Sequence, residues 1–399
     1  MSRAAAKVPN GSSDHVTWSQ VAAFRLSRHH LSKRAPAAAL ISVVREIGGA
    51  QAQILSAAQM ALWARVQDLQ VEDVQAALRE RTLVKAWCMR RTLHLLSSSD
   101  LAVFVRGSTG RAERAIRWVR RKGISDRVLE RLIDATLSAL DQPLTGRALV
   151  ERVSRRLGVR TRTIRGGGWG SRTEIPGVVV GGLTFATRDL LHLAAARGVV
   201  CSGPGRGPEP TYVRADAWIP RWRDASREDA ERELLRRYLR AFGPAMPADF
   251  AAWTGIPLSG VRRIWAQEEA DIVPVSVEGW SAVVLREDLG RLKRAVSAPP
   301  PVRLLPYFDS FLLGHKAREH LVAARHHKTV YRTQGWIAPV VLAGGRVVGV
   351  WAHAREGDRL RVRVTKFAAV SRRIMAGIRE EANHLGRFLG GAGVDVHIA

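Results

Sequence analysis

The sequence predicts an α+β fold, mainly helical, made of three tandem winged-helix units followed by a C-terminal β-element and a terminal helix. Three observations predict it. A helix, helix, hairpin order recurs three times along the chain. Each copy is too small to bury a core alone, so the copies are expected to pack on one another. The 399 residues, 46% of them hydrophobic, leave room for two or three domains. The expected segments are a disordered arm over 1–14, unit 1 over 15–105, unit 2 over 106–225, unit 3 over 226–298, and the β-element with its helix over 299–399.

In the first copy, the spacing of Val21, Phe24 and Leu26 among Arg25, Arg28 and His29 predicts a helix from Trp18 to Leu31, and Pro36 opens a second that runs to Ile47. Gly48-Gly49-Ala50-Gln51-Ala52-Gln53 then leads into an apolar helical run. Ser56-Ala57-Ala58-Gln59 reads as a capping box with Ser56 as N-cap, which starts that helix after the glutamines and ends it near Val66. A helix from Val71 to about Arg81 and two strands, Leu83 to Arg90 and Arg91 to Leu96, complete the copy.

In the second copy Pro143-Leu144-Thr145-Gly146 opens a helix to about Leu157, and after a Gly-rich interruption another runs from Leu183 to Arg197, with strands near Val200 and Tyr212. The third is clearer: helices from Arg227 to Phe242, Ala248 to Thr254 and Pro257 to Glu268, then strands from Ile272 to Val277 and Ala282 to Leu285. After Pro299-Pro300-Pro301 come strands from Ile337 to Leu342, Arg346 to His353 and Leu360 to Phe367, and a closing helix from Ala369 to Leu389.

Sixty-three Lys and Arg against 36 Asp and Glu leave a net charge of +27. A polyanionic partner follows, nucleic acid first, because neutralising phosphates releases counterions. A GC-rich coding bias raises the Arg count too, but does not explain why acids fail to keep pace. Cys88 and Cys201 are far apart and form no CxxC, which argues against a disulfide framework or structural zinc and for a reducing cytosol. Met1 to Ser13 has no apolar h-region and no long apolar run occurs, so the expected place is the cytoplasm, on the nucleoid, with no membrane. Gly166-Gly167-Gly168-Trp169-Gly170 lacks the Gly-Lys-Ser/Thr ending of a phosphate loop, and His315 with His320, His29-His30 and His326-His327 make no metal set. No cofactor is expected.

Gln51 and Gln53 lie two apart. A helix would separate them by about 200°, whereas extended backbone points both amides to one side. They either satisfy local backbone groups or project as a neutral pair from a helix entrance.

Read in order, Gly48-Gly49-Ala50-Gln51-Ala52-Gln53 with Trp63-Ala64-Arg65, Met89-Arg90-Arg91-Thr92-Leu93-His94-Leu95-Leu96, and Leu304-Leu305-Pro306-Tyr307-Phe308-Asp309 resemble the AlkZ-like winged-helix DNA glycosylases. The resemblance covers most of the chain. It implies three winged-helix units with a C-terminal β-element, a basic concave surface for double-stranded DNA, and excision of N-alkylated bases or unhooking of interstrand crosslinks; a monomer is the expected state. The family's catalytic Gln-apolar-Gln pair maps onto Gln51 and Gln53; a sister subgroup resembling YcaQ has Asp at the second position. Two departures stand out. Arg91 occupies a position where the family often has Gly, and the Arg160 to Gly182 segment is not matched to the family's DNA-inserting hairpin.

Hydrolytic base excision passes through an oxocarbenium-like sugar. An N7-alkylguanine or N3-alkyladenine is already cationic, so a neutral pair suffices. A glutamine carbonyl holds a water or stabilises positive charge on the sugar, and its NH2 fixes orientation. Gln53 is expected to position the water and Gln51 the same water or the sugar, with the two roles exchangeable. No lysine follows the motif before Lys85, which favours monofunctional hydrolysis over a lyase. A crosslinked base calls for a shallow site open to a groove.

His94 contacts DNA or is a hydrogen-bonded structural histidine. Asp309 assists electrostatically or pairs with an arginine. Expected DNA contacts are Arg90, Arg91 and His94; the helical stripe Arg111, Arg114, Arg117, Arg120 and Arg121 beside Trp118; Arg162, Arg165 and Arg172 on an element that orders on DNA; and Arg361 and Arg363, with Arg359, on one strand face. Each stripe tracks phosphates or is a solvated face. The alternative reading is a non-catalytic winged-helix regulator or architectural DNA-binding protein. Against it stands the glutamine pair.

Overall fold

The computed structural model describes residues 14–108, 110–168, 171–207, 209–296 and 301–399. These form a mixed α/β chain whose strands make five small sheets. The chain packs as two compact units that do not follow chain order. One holds the chain up to Ala77, His94–Ser97 and Arg232–Ala399; the other holds Leu78–Leu93 and Ser98–Glu231.

In the first unit the Trp18–Arg28 helix begins at a capping box, Thr17 accepting from the Gln20 amide while Gln20 accepts from the Thr17 amide. Its Val21, Phe24 and Leu26 are buried, as the spacing demands. The third copy forms as expected: helices Arg227–Phe242, Pro247–Thr254 and Leu258–Gln267 lead to the hairpin Ile272–Val277 and Trp280–Leu285. A strand not foreseen, Asp14–Val16, runs parallel to Ile272–Val277 and pairs Asp14 with Val275. Lys293 holds Asp14 at 2.6 Å, so residue 14 belongs to the fold rather than to the expected arm; residues 1–13 lie outside the described residues.

The C-terminal sheet has five strands in the order Val302–Leu305, Val340–Ala343, Arg346–Glu356, Arg359–Lys366 and Gly393–Ile398. The Arg372–Phe388 helix lies close against it. A Cβ on Gly377 would stand 2.8 Å from Val302, and one on Gly386 would overlap Val394 more closely still, so both glycines are needed for helix and strand to approach.

In the second unit the helices Asp126–Ala139, Gly146–Leu157 and Thr187–Ala194 enclose a core that includes Leu132, Leu149, Val153, Phe185 and Leu190. The Gly-rich interruption is a ribbon. Thr161–Gly168 pairs antiparallel with Ser171–Val180, and Leu183–Ala186 adds a third strand. The helix expected from Leu183 therefore starts at Thr187. Phe185 is drawn into the core as part of a strand, and Asp189 caps the Ala186 amide at 3.1 Å.

Candidate active site

Gly48 and Gly49 take φ of +71° and +84°. A Cβ on Gly49 would stand 2.6 Å from a Leu96 methyl and 3.1 Å from the Leu95 carbonyl, and one on Gly48 would press the Trp253 ring at 3.1 Å. Only glycine fits both the backbone conformation and the space. The turn delivers the chain from the Leu40–Glu46 helix into a two-residue strand, Ala50–Gln51, that pairs antiparallel with Leu93–Ser97. Gln51 sits directly opposite His94. Their side chains therefore share one face of the ladder, Cβ atoms about 5 Å apart.

The two glutamines are not equivalent. Gln51 is 8% exposed and His94 2%, whereas Gln53 is exposed. The helix starts earlier than expected, at Leu55, with Ile54 as an N-cap that makes no side-chain bond. The capping box at Ser56 does not form, because Gln59 turns inward and is buried. Gln53 thus stands immediately outside the first turn of Leu55–Trp63.

This entrance is held from beneath. Ser310 Oγ donates to the Gly49 carbonyl at 2.8 Å. Beside it, Asp309 takes a two-pronged bond from Arg65, at 2.7 and 2.8 Å, with both side chains fully buried. Arg65 also donates to the Ala61 carbonyl, one turn back in the helix, and Asp309 accepts from the Phe311 amide. The pairing reading of Asp309 is the one the structure takes. Phe308 precedes it at φ +59°, a left-handed conformation uncommon for a bulky residue, with its ring against Trp336. The sequence motifs around residues 51, 65 and 309 are therefore one physical assembly.

Arg90 and Arg91 lie in a turn rather than on strands: Leu83–Trp87 and Leu93–Ser97 are separated by Met89–Arg91, with φ of 52° at Arg90 and 63° at Arg91. Two consecutive left-handed residues cannot continue a ladder. Arg91 is exposed. On Gly110–Arg121, Arg114, Arg117 and Arg121 are exposed, Arg120 is bound to Asp126, and the Arg111 side chain lies outside the described residues. Arg162 and Arg165 are exposed on the ribbon, Arg165 opposite Glu174, and the Arg172 side chain is likewise outside the described residues. Arg361 is tied to Glu356 and Arg359 to Asp395, while Arg363 is exposed between Ala352 and His397 on its neighbouring strands.

His315 and His320 do come together, ring centroids 5.0 Å apart, but the Arg25 guanidinium stands 2.9 Å from His320 Nε2, a poor setting for a cation. Among the described residues no three His, Cys, Asp or Glu side chains are grouped to hold a metal, and no helix is long and apolar enough to cross a membrane. Ser310 was invisible to sequence reasoning, since its partner lies 261 residues away.

With the fold and the geometry of the glutamine entrance in place, comparison with known proteins gives the class: the chain is a DNA glycosylase. The chain belongs to the AlkZ-like DNA glycosylases, whose family model matches residues 44–388. The interstrand DNA cross-link repair glycosylase of Streptomyces sahachiroi is 32% identical over 395 residues, 96% of this chain and 99% of that protein. The solved structure of Streptomyces sahachiroi DNA glycosylase AlkZ superposes with a TM-score of 0.80 at 28% identity, covering 96% of this chain and all of that one.

Proposed function

We propose that this glycosylase hydrolyses the N-glycosidic bond of cationic N-alkylated purines, N7-alkylguanine first and N3-alkyladenine by the same chemistry, and that it unhooks interstrand crosslinks, as the name of its Streptomyces relative suggests. The carrying observation is the Gln51-Ala52-Gln53 entrance, set by two glycines and clamped through Ser310. Gln53, exposed at the helix start, holds the water through its carbonyl; Gln51, buried opposite His94, supports the sugar as it becomes cationic. The water oxygen bonds to C1′ as the glycosidic bond breaks. The bond's electrons return to the cationic base, which leaves neutral, and the water's proton passes to solvent. No covalent enzyme intermediate is formed.

In this reading the three helix and hairpin copies act as winged-helix grips on the duplex, and the 161–180 ribbon enters a groove with Arg162 and Arg165 at its flanks. Arg90, Arg91, Arg114, Arg117, Arg121 and Arg363 contact phosphates. The protein works as a monomer in the cytoplasm.

The test is release of N7-methylguanine from an alkylated duplex by the wild type, Gln51→Ala, Gln53→Ala and the double variant. Loss of release with DNA affinity retained supports the assignment. Equal release by wild type and the double variant overturns it.

A further inference from the structure

The Leu55–Trp63 helix has a second end, and a cleft opens there. The loop at Ser32–Arg34, the loop after Trp63, strand Val302–Leu305 and the last turn of Arg372–Phe388 enclose about 490 Å³. Four cations, Lys33, Arg34, Arg303 and Arg387, line it, against one lining acid, Asp68, and one buried carboxylate behind it, Glu381.

The two arginines at the back are fixed in place. Arg34 donates to Glu381 at 2.9 Å and to the Trp63 carbonyl at 3.2 Å, and its guanidinium lies over the Trp63 ring at 5.2 Å. Arg303 donates to the other oxygen of Glu381 at 3.3 Å and to the Val302 carbonyl. One carboxylate therefore serves two largely buried guanidiniums. Burial, together with the charge of Arg34, lowers the Arg303 guanidinium from its ordinary range, opposed by Glu381. Arg303 Nε is buried without a partner. A guanidinium carries five N–H donors, and neither arginine uses all of its own.

Positive charge held rigid, short of one counter-charge and with donors to spare, is a receptor for an anion with several acceptor oxygens. The cleft's place defines which one. It lies a helix length, about 12 Å, from the glutamine entrance, or roughly three to four base-pair steps along a duplex.

We propose that this cleft is a phosphate-binding site that seats a backbone phosphodiester of the DNA, three to four base pairs from the nucleotide being excised. The inference rests on the glycosylase reading for its ligand, though not for its charges. It assigns Lys33 and Arg387, both exposed on the rim, as phosphate contacts that hold the duplex in register with the glutamines.

The test uses the full chain and the variant Lys33→Ala/Arg387→Ala, which leaves the buried arginines and Glu381 untouched. Binding to a duplex is measured across salt concentrations, on a long duplex and on one ending two base pairs either side of the lesion. On the long duplex the slope of log K against log salt is expected to fall by about 1, the value for one phosphate no longer neutralised. On the short duplex wild type and variant are expected to bind alike. An unchanged slope on the long duplex, or an equal fall on both, overturns the proposal. Thermal stabilisation of the wild type alone by inorganic phosphate, over chloride at equal ionic strength, with unchanged DNA slopes, would assign the cleft to free phosphate and overturn its DNA role. Failure of the glycosylase reading looks different: no base is released while the slope difference persists.

Discussion

Asp309→Ala removes one half of the fully buried Arg65–Asp309 pair and leaves a buried guanidinium with no counter-charge. Breaking such a pair costs about 3–5 kcal/mol, mostly the desolvation of the survivor. Arg65 keeps its bond to the Ala61 carbonyl, which places the expected loss toward the lower end. At about 2–4 °C per kcal/mol for a body of this size, the transition that reports the first unit should fall by roughly 10 °C. Differential scanning calorimetry checks this. Asp309→Asn, which keeps one acceptor oxygen, should lose less, and Arg65→Met/Asp309→Leu should recover much of the loss, because an apolar pair of similar volume carries no desolvation cost. A shift below about 2 °C for Asp309→Ala, or a double variant worse than either single one, would refute the claim that an isolated buried charge is what the pairing prevents.

Three further outcomes are expected. His94→Ala should slow single-turnover excision in the wild-type background yet add nothing in a Gln51→Ala background, since the two residues face each other across one ladder; additive losses would separate them. Arg91→Gly should raise stability by about 1 kcal/mol in urea unfolding, because it frees a residue held at φ 63°, and should lower affinity for DNA; a destabilised variant would contradict the strain argument. His29, His315 and His320 are all lowered, first by burial and next by the charge of Arg65 for His29 and of Arg25 for the other two, His320 to about 2. The unfolded chain then binds protons that the folded one refuses, so the stability these groups contribute is whole above pH 6.5 and is lost as pH falls below it. A melting temperature independent of pH between 7 and 5 would exclude this.

Much of the fold was legible because it is local. Helices such as Arg227–Phe242 and Gly146–Leu157 announce themselves by apolar period and by the residues at their ends. The glutamine motif was legible because two glycines at a helix entrance are unusual, and their positive φ explains them. What escaped depends on partners distant in the chain. Asp14–Val16 is a strand only because Ile272–Val277 offers it an edge, and Gly393–Ile398 only because Arg359–Lys366 does. Asp309 finds Arg65 across 244 residues, and nothing in either neighbourhood states the match. The false capping box at Ser56 failed for a related reason, since burial of Gln59 in the tertiary core outweighed a local bond worth about 1 kcal/mol. The departure at Arg91 gains a cause: glycine suits a position where φ is positive, and this chain keeps an exposed cation there instead.

The bond from Ser310 to Gly49 has a consequence in time as well as in space. During synthesis the glutamines leave the ribosome long before the serine that steadies their backbone. A nascent chain several hundred residues long therefore carries the motif before it carries the hydroxyl that steadies the backbone leading into it, and that backbone is fixed only once the region around Ser310 has been made.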